Sequence, residues 1–297
     1  MYESEEQLPL LKEIVALAKT VLAKSNSSAS VAPMLSFVEK VVDQHGAMAE
    51  PAHQNEIFQN MMKDLILVSY AAILSSSKAE GNDNSQLIAA TMFKTLSACA
   101  RRCPLLLLTL ARDDKEPGEV IHSCIEAYPR TLKAHESDAL LSTVRFLHLL
   151  ISALKNISPE SLDDRLKQTI MPVISYINKS AQGDILISLV TLSCCGILPL
   201  DTVAEFVSLI QQILDVSQWQ DVEASISAAF CTNQFLLGDE VIAVAVASFK
   251  RCTESQYPTS TFDNMITDMW HMHQTDDTGA IAGGEAVLEF VKKFSND

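Results

Sequence analysis

The sequence contains little glycine and few aromatic residues. Only 9 of its 297 residues are glycine, where an average composition would give about 20, and Phe, Trp and Tyr together make up 6%. Sheet proteins use glycine in their turns and aromatic residues in their strands, so this shortage argues against a sheet. The apolar 48% of the chain is mostly Leu, Ala, Ile and Val. The composition therefore predicts an all-α protein.

Basic residues are also scarce, because 22 Lys and Arg face 37 Asp and Glu, for a net charge of −15. Surfaces that bind phosphates carry the opposite sign, so neither nucleic acid nor an anionic membrane is an expected direct partner. The longest uncharged apolar stretch, residues 185–200, is shorter than the roughly 20 residues that span a bilayer. The acidic N-terminus does not resemble a signal peptide. We expect a protein of the cytoplasm and nucleus.

The seven cysteines form no C-x-x-C pair, and most lie in apolar helical surroundings. This pattern favours buried free thiols in a reducing compartment over disulfides or zinc ligands.

Apolar residues recur at helical spacing along most of the chain. Leu141, Val144 and Leu147 follow the i, i+3 spacing of a helix, which predicts a helix over 137–155. Polar runs at 25–28 and 79–84 predict loops, and Ser158 before Pro159 predicts an N-cap. About thirteen helices are predicted in this way. Besides 137–155, they extend over 8–22, 31–42, 57–74, 86–100, 119–128, 162–177, 185–195, 202–214, 222–236, 241–252, 262–273 and 280–294.

Neighbouring helix pairs recur about every 40 residues, which is the spacing of HEAT and armadillo repeats. Pro33 and Pro172 lie inside or at the start of apolar helices, as prolines do in the first helices of HEAT units. We therefore predict a HEAT-repeat-like superhelical solenoid of antiparallel helix pairs. It would extend over residues 1–297 as a single α-solenoid of about seven pairs. A single globular helical domain is the alternative.

Three segments near the C-terminus resemble catalytic or ligand-binding motifs. Asp277-Thr278-Gly279 matches the triplet of aspartic proteases, which requires two carboxylates on β-loops, whereas helical sequence surrounds it here. Asp276 and Thr278 are instead suited to capping the helix that follows. The run 279–284 is rich in glycine, but Glu285 follows it and would repel a phosphate. Close helix packing is therefore the preferred explanation of that run.

His271 and His273, with Asp277, offer metal-ligand side chains close together. On a helix, positions i and i+2 point about 200° apart, so both imidazoles would not face one ion. A polar helix end is the preferred explanation, and a metal-dependent hydrolase that uses His271, His273 and Asp277 is kept as an alternative. We expect no enzyme activity, no catalytic residue, no bound metal and no cofactor.

The negative charge is concentrated in an acidic sub-region, residues 201–297. This sub-region has a net charge of −11, whereas residues 1–200 have a net charge of −4. A continuous acidic surface attracts basic proteins, so a basic cargo protein is the expected partner. Solubility and helix N-termini are the alternative explanation of these acids. The candidate partner-binding residues are Asp221, Glu223, Asp239, Glu240, Asp276 and Asp277.

The order of motifs over about residues 50–155 is distinctive. A basic stretch with a proline, Arg101-Arg102-Cys103-Pro104, precedes a leucine run. A helix that closes near Tyr128-Pro129 comes next, and then Phe146-Leu147-His148-Leu149-Leu150. This order resembles the C-terminal HEAT region of the β-karyopherins, in the importin-thirteen and transportin-SR branch. The resemblance implies a nuclear transport receptor that wraps cargo and responds to the GTPase Ran, with nucleoporins as further partners.

The family's receptors are several hundred residues longer than this chain. Their principal Ran-contacting repeats lie in an N-terminal region that this sequence does not contain, so Ran and nucleoporins are expected partners if this polypeptide is part of a longer receptor. We expect the C-terminal part of a transport receptor that binds cargo on an acidic inner surface. A HEAT-repeat scaffold or adaptor without a transport role is the alternative.

Overall fold

The computed structural model describes residues 3–24, 28–51, 55–79, 82–112, 115–132, 137–194, 200–231 and 238–254. Every regular element within these ranges is helical, and none of the described residues forms a strand. The all-α prediction is therefore confirmed for the described part of the chain.

The chain divides into two compact units, residues 1–175 and 176–297. The helices of the first unit are α1 (Glu3–Lys24), α2 (Ser28–His45), α3 (Glu56–Ala79), α4 (Asn82–Arg102), α5 (Pro104–Thr109), α6 (Glu119–Leu132) and α7 (Ser137–Lys155). Helix α8 (Asp164–Ser180) begins in the first unit and ends in the second. The second unit continues with α9 (Leu186–Cys194), α10 (Leu200–Val216), α11 (Trp219–Phe230) and α12 (Asp239–Thr253).

Helix α4 is the centre of the first unit, because it packs extensively on α2 and on α7. Its Phe93 meets Phe146 of α7 with ring centroids 5.5 Å apart, and both rings are fully buried. The Thr95 hydroxyl donates a hydrogen bond to the Leu35 carbonyl of α2 at 3.3 Å. Separately, α1 packs on α3.

Helix α7 is buried over more of its surface than its apolar spacing predicts. Of the predicted stripe, Val144 and Leu147 are buried and Leu141 is half-buried, while Arg145 is exposed. Phe146, which meets α4, lies off this stripe and is fully buried as well. Fully burying an aliphatic side chain contributes about 1.5–3 kcal/mol, so the stripe and Phe146 together hold the helix in place.

A tight turn leads into α6. Gly118 has a φ of +82°, and a Cβ atom at this position would lie 2.6 Å from Cγ2 of Val173 on α8. Both the backbone conformation and the close approach require glycine here. The Arg112 guanidinium donates to Glu119 at the start of α6, with Nε 2.9 Å from Oε1, and these hydrogen bonds lower the pKa of Glu119.

In the second unit, α11 packs on both α9 and α12. Phe230 of α11 and Phe249 of α12 are buried against each other, with ring centroids 6.4 Å apart. A helical turn at Ala181–Ile185 precedes α9, and Gly183 leaves helical geometry there with φ −99° and ψ −111°. Gln182 in this turn donates a hydrogen bond to the Ser217 hydroxyl at 3.2 Å.

Several predicted boundaries were wrong. The leucine run after Cys103 forms α5, a helix that the apolar spacing did not predict. The predicted loop over 79–84 is mostly helical, because α3 extends to Ala79 and α4 begins at Asn82. Asn and Asp favour both loops and helix starts, so their presence alone did not distinguish the two.

The predicted N-cap position of Ser158 before Pro159 is confirmed, but the helix that follows is only a short 3₁₀ turn, Pro159–Ser161. The Ser158 side chain makes no capping hydrogen bond there. Asp163 caps α8 instead, because its Oδ1 accepts a hydrogen bond from the Leu166 N–H at 2.7 Å. The helical positions predicted for Pro33 and Pro172 are confirmed, in α2 and α8.

Candidate functional site

Four of the candidate partner-binding acids lie on α11 and α12. Asp221 is in the first turn of α11 and Glu223 follows two residues later. Asp239 and Glu240 form the acidic first turn of α12, directly after Gly238. All four side chains are exposed, so the two neighbouring helices carry these carboxylates on their surface.

None of these four carboxylates forms an ion pair with another described residue. Three of them stand in first turns, where the helix dipole stabilises a negative charge by about 0.3–1 kcal/mol. Their position thus agrees with the alternative explanation that these acids stabilise helix N-termini. Because no described cation pairs with them, their negative charge is also available to a cationic partner.

A groove of about 600 Å³ lies between α11 and α12. We call it the α11–α12 groove. Trp219 stands at one end, and Nζ of Lys250 lies 5.9 Å from the centre of its ring, within the range of a cation–π contact. Small side chains leave the space open between the two helices. The groove is lined by Trp219, Gln220, Glu223, Ala224, Ser227, Ala243, Val246, Ala247 and Lys250.

Of the four exposed acids, only Glu223 lines the α11–α12 groove. Lys250, which lines it from the other helix, is also 3.9 Å from Glu254. The groove therefore combines a carboxylate with small apolar side chains, while Lys250 already covers the aromatic face of Trp219. An arginine or lysine side chain of a partner can use the carboxylate through its charge and the small apolar side chains through its apolar stem.

Trp219 and Lys250 were not predicted as functional residues from the sequence. The sequence does indicate that Trp219 shares one face of α11 with Glu223 and Ser227, because these residues follow it by four and eight positions. No pattern in the sequence indicated which face of α12 would meet it, so the contact with Lys250 became visible only in the structure.

The remaining candidates lie outside the described residues. Asp276 and Asp277 are among them, as are His271 and His273 of the alternative metal site. In the described part of the chain, no group of three or more His, Cys, Asp or Glu side chains is arranged to hold a metal ion.

The prediction of buried thiols is confirmed for three cysteines and wrong for a fourth. Cys99, Cys103 and Cys124 are free and buried, and burial raises the pKa of the Cys124 thiol. Cys231 is free but exposed, and it directly follows Phe230, the last residue of α11.

Among the described helices, none combines the length and the apolar content needed to cross a membrane. Comparison with models of protein families, with curated proteins and with solved structures found no match to this chain. The resemblance to β-karyopherins therefore stays a prediction from the sequence.

Proposed function

We propose that this chain is a protein-binding helical-repeat protein whose acidic sub-region, residues 201–297, binds a basic segment of a partner protein. We further propose that it is the C-terminal part of a karyopherin-type nuclear transport receptor and that the basic segment belongs to its cargo. The bound segment would lie along α11 and α12 and meet the α11–α12 groove.

The packing order in the first unit supports a repeat architecture. Consecutive helices contact each other, α1 with α2, α2 with α3, α3 with α4 and α6 with α7, and they can be grouped as the pairs α1–α2, α3–α4 and α6–α7. The second helices of these pairs then pack in succession, α2 on α4 and α4 on α7, while α1 packs on α3. Contacts between equivalent helices of successive pairs are what a stack of repeats requires.

The observation that carries the proposed binding function is the set of exposed carboxylates without a described ion-pair partner on α11 and α12. Between Ser180 and Phe249 the sequence has eight acids and no Lys or Arg, so no basic residue of this stretch competes with those of a partner. Attraction of this kind acts over about 10 Å at 0.1 M salt and increases the association rate.

The test is the affinity of a fluorescent Lys/Arg-rich peptide at low and high salt. A variant with Asp221→Asn, Glu223→Gln, Asp239→Asn and Glu240→Gln should bind about tenfold or more weakly, since each exposed charge pair contributes about 0.2–1 kcal/mol. The control neutralises four exposed acids of the first unit, through Glu13→Gln, Glu116→Gln, Glu126→Gln and Glu160→Gln. If both variants bind equally well, the proposed location is wrong.

Release of the peptide or of a basic cargo by Ran-GTP would distinguish a transport receptor from a scaffold or adaptor. The experiment should use this chain alone and, in parallel, a chain extended by N-terminal repeats. Release from the extended chain supports the transport role. Stable binding in both samples supports the scaffold.

A further inference from the structure

A second cavity lies within the first unit. It has a volume of about 510 Å³ and lies where the end of α4 and the start of α5 face the C-terminal end of α7. We call it the Glu50 cavity. Apolar side chains form much of its wall, among them Leu105, Leu149, Ala153 and Ile157. Its size is in the usual range for cavities that bind small organic molecules or short peptide segments.

A half-buried carboxyl group lines this cavity. Oε1 of Glu50 accepts a hydrogen bond from the Leu105 N–H at 2.9 Å. Oε2 is closed off from solvent and has no hydrogen-bond partner. Burial raises the pKa of Glu50 to about 7, and the hydrogen bond from Leu105 opposes that rise only in part. A buried acceptor without a donor costs about 1–3 kcal/mol, more for a charged group.

No cation of the described chain compensates this carboxylate. Arg101 lines the same cavity, but its Nη2 atom donates to both carboxylate oxygens of Asp43, at 3.0 and 3.1 Å. Arg102 approaches the same Asp43 carboxylate at 3.7 Å. Arg101 thus shares the Asp43 carboxylate with Arg102, while Glu50 forms no ion pair with a described residue.

We infer that the Glu50 cavity is a binding site for a primary ammonium group that carries an apolar body. The ammonium donates to Glu50, whose Oε2 turns toward the cavity on binding, and the apolar body packs against Leu149, Ala153 and Ile157. The ligand carries one positive charge rather than two, because Arg101 in the cavity wall would repel a second ammonium. This site does not depend on the proposed function of the acidic sub-region.

Two sources could supply such a group, a free organic amine or a lysine side chain of a protein segment. Tryptamine is the probe for the first, with tryptophol as its neutral counterpart. The tripeptide acetyl-Leu-Lys-Leu-amide is the probe for the second, with norleucine in place of lysine as its neutral counterpart. Titration calorimetry at pH 8 is suitable, because aliphatic amines are still protonated there while most Glu50 carboxyls have ionised.

We expect the cation of at least one pair to bind about tenfold or more tightly than its neutral counterpart, as a charge-assisted hydrogen bond predicts. The pair that shows this preference identifies the source. Equal binding within both pairs, or no binding by either cation, overturns the inference.

Glu50→Gln should remove the preference for the cation, while Glu160→Gln, at an exposed glutamate, should keep it. Ala153→Leu fills the cavity from α7 without changing the carboxyl group and should weaken binding of the cation about tenfold or more. Circular dichroism confirms that each variant is folded. A cation preference that persists in Glu50→Gln, or unchanged binding by Ala153→Leu, contradicts the site.

Discussion

The free energy of unfolding should depend on pH through Glu50. Its pKa is raised from 4.5 to about 7 in the folded protein, so between these values the folded chain holds a proton that the unfolded chain has lost. Stability therefore falls as the pH rises through this interval. The contribution of Glu50 is complete below pH 4.5 and is lost above pH 7.

The size of the effect follows from the size of the pKa rise. A rise from 4.5 to about 7 corresponds to about 3 kcal/mol between the two protonation states. Because the side chain is only half-buried, screening by solvent reduces the expected value to about 1–2 kcal/mol. Glu50→Gln keeps an acceptor for the Leu105 N–H but does not ionise. The free energy of unfolding of this variant minus that of the wild type should therefore increase by about 1–2 kcal/mol from pH 5 to pH 8.

The assay is urea unfolding of both proteins at several pH values, followed by circular dichroism. All other titrating groups are common to the two proteins and cancel in the difference. Glu160→Gln, at an exposed glutamate, should show a constant difference from the wild type. Parallel stability curves for Glu50→Gln and the wild type from pH 5 to pH 8 would refute the reasoning.

Three further predictions concern packing and exposure. Gly118→Ala should lower the free energy of unfolding by about 2 kcal/mol or more, because φ at this residue is +82° and the new methyl group would collide with Val173. Gly238→Ala is the control and should have little effect, because the space around Gly238 is open. Phe146→Ala should cost about 3–5 kcal/mol in chemical unfolding, because the ring is fully buried. Cys231 should react with a thiol reagent in the native protein, as peptide mass spectrometry would detect, much faster than the buried Cys99, Cys103 and Cys124.

The helical architecture was predictable because it rests on composition and on apolar spacing. The stripe through Val144 and Leu147 predicted the helix and part of its buried surface, and the structure bears this out, whereas the burial of Phe146 against α4 lies off that stripe. Helix ends were less predictable, because Asn82 and Asp83 fit a loop as well as a helix start. The run after Cys103 is apolar on every side, so it lacked the periodicity that would have predicted α5.

The exposed acids were also predictable, because charged residues between apolar stripes lie on the surface of a helix. The sequence could not predict the α11–α12 groove, since Trp219 and Lys250 meet only through packing of two helices. Glu50 was missed for a similar reason. A single glutamate after a short turn has no signature of burial, and its environment is formed by Leu105, which lies 55 residues further along the chain.

The central claim is that a basic partner binds the acidic sub-region. The most direct measurement is photo-cross-linking of a Lys/Arg-rich peptide that carries a benzophenone, followed by mass spectrometry of the conjugated fragments. We predict cross-links within residues 201–297, including α11 or α12, that decrease at high salt and in the variant neutralised at Asp221, Glu223, Asp239 and Glu240. Cross-links confined to residues 1–200, or unaffected by salt and by these substitutions, would contradict the claim.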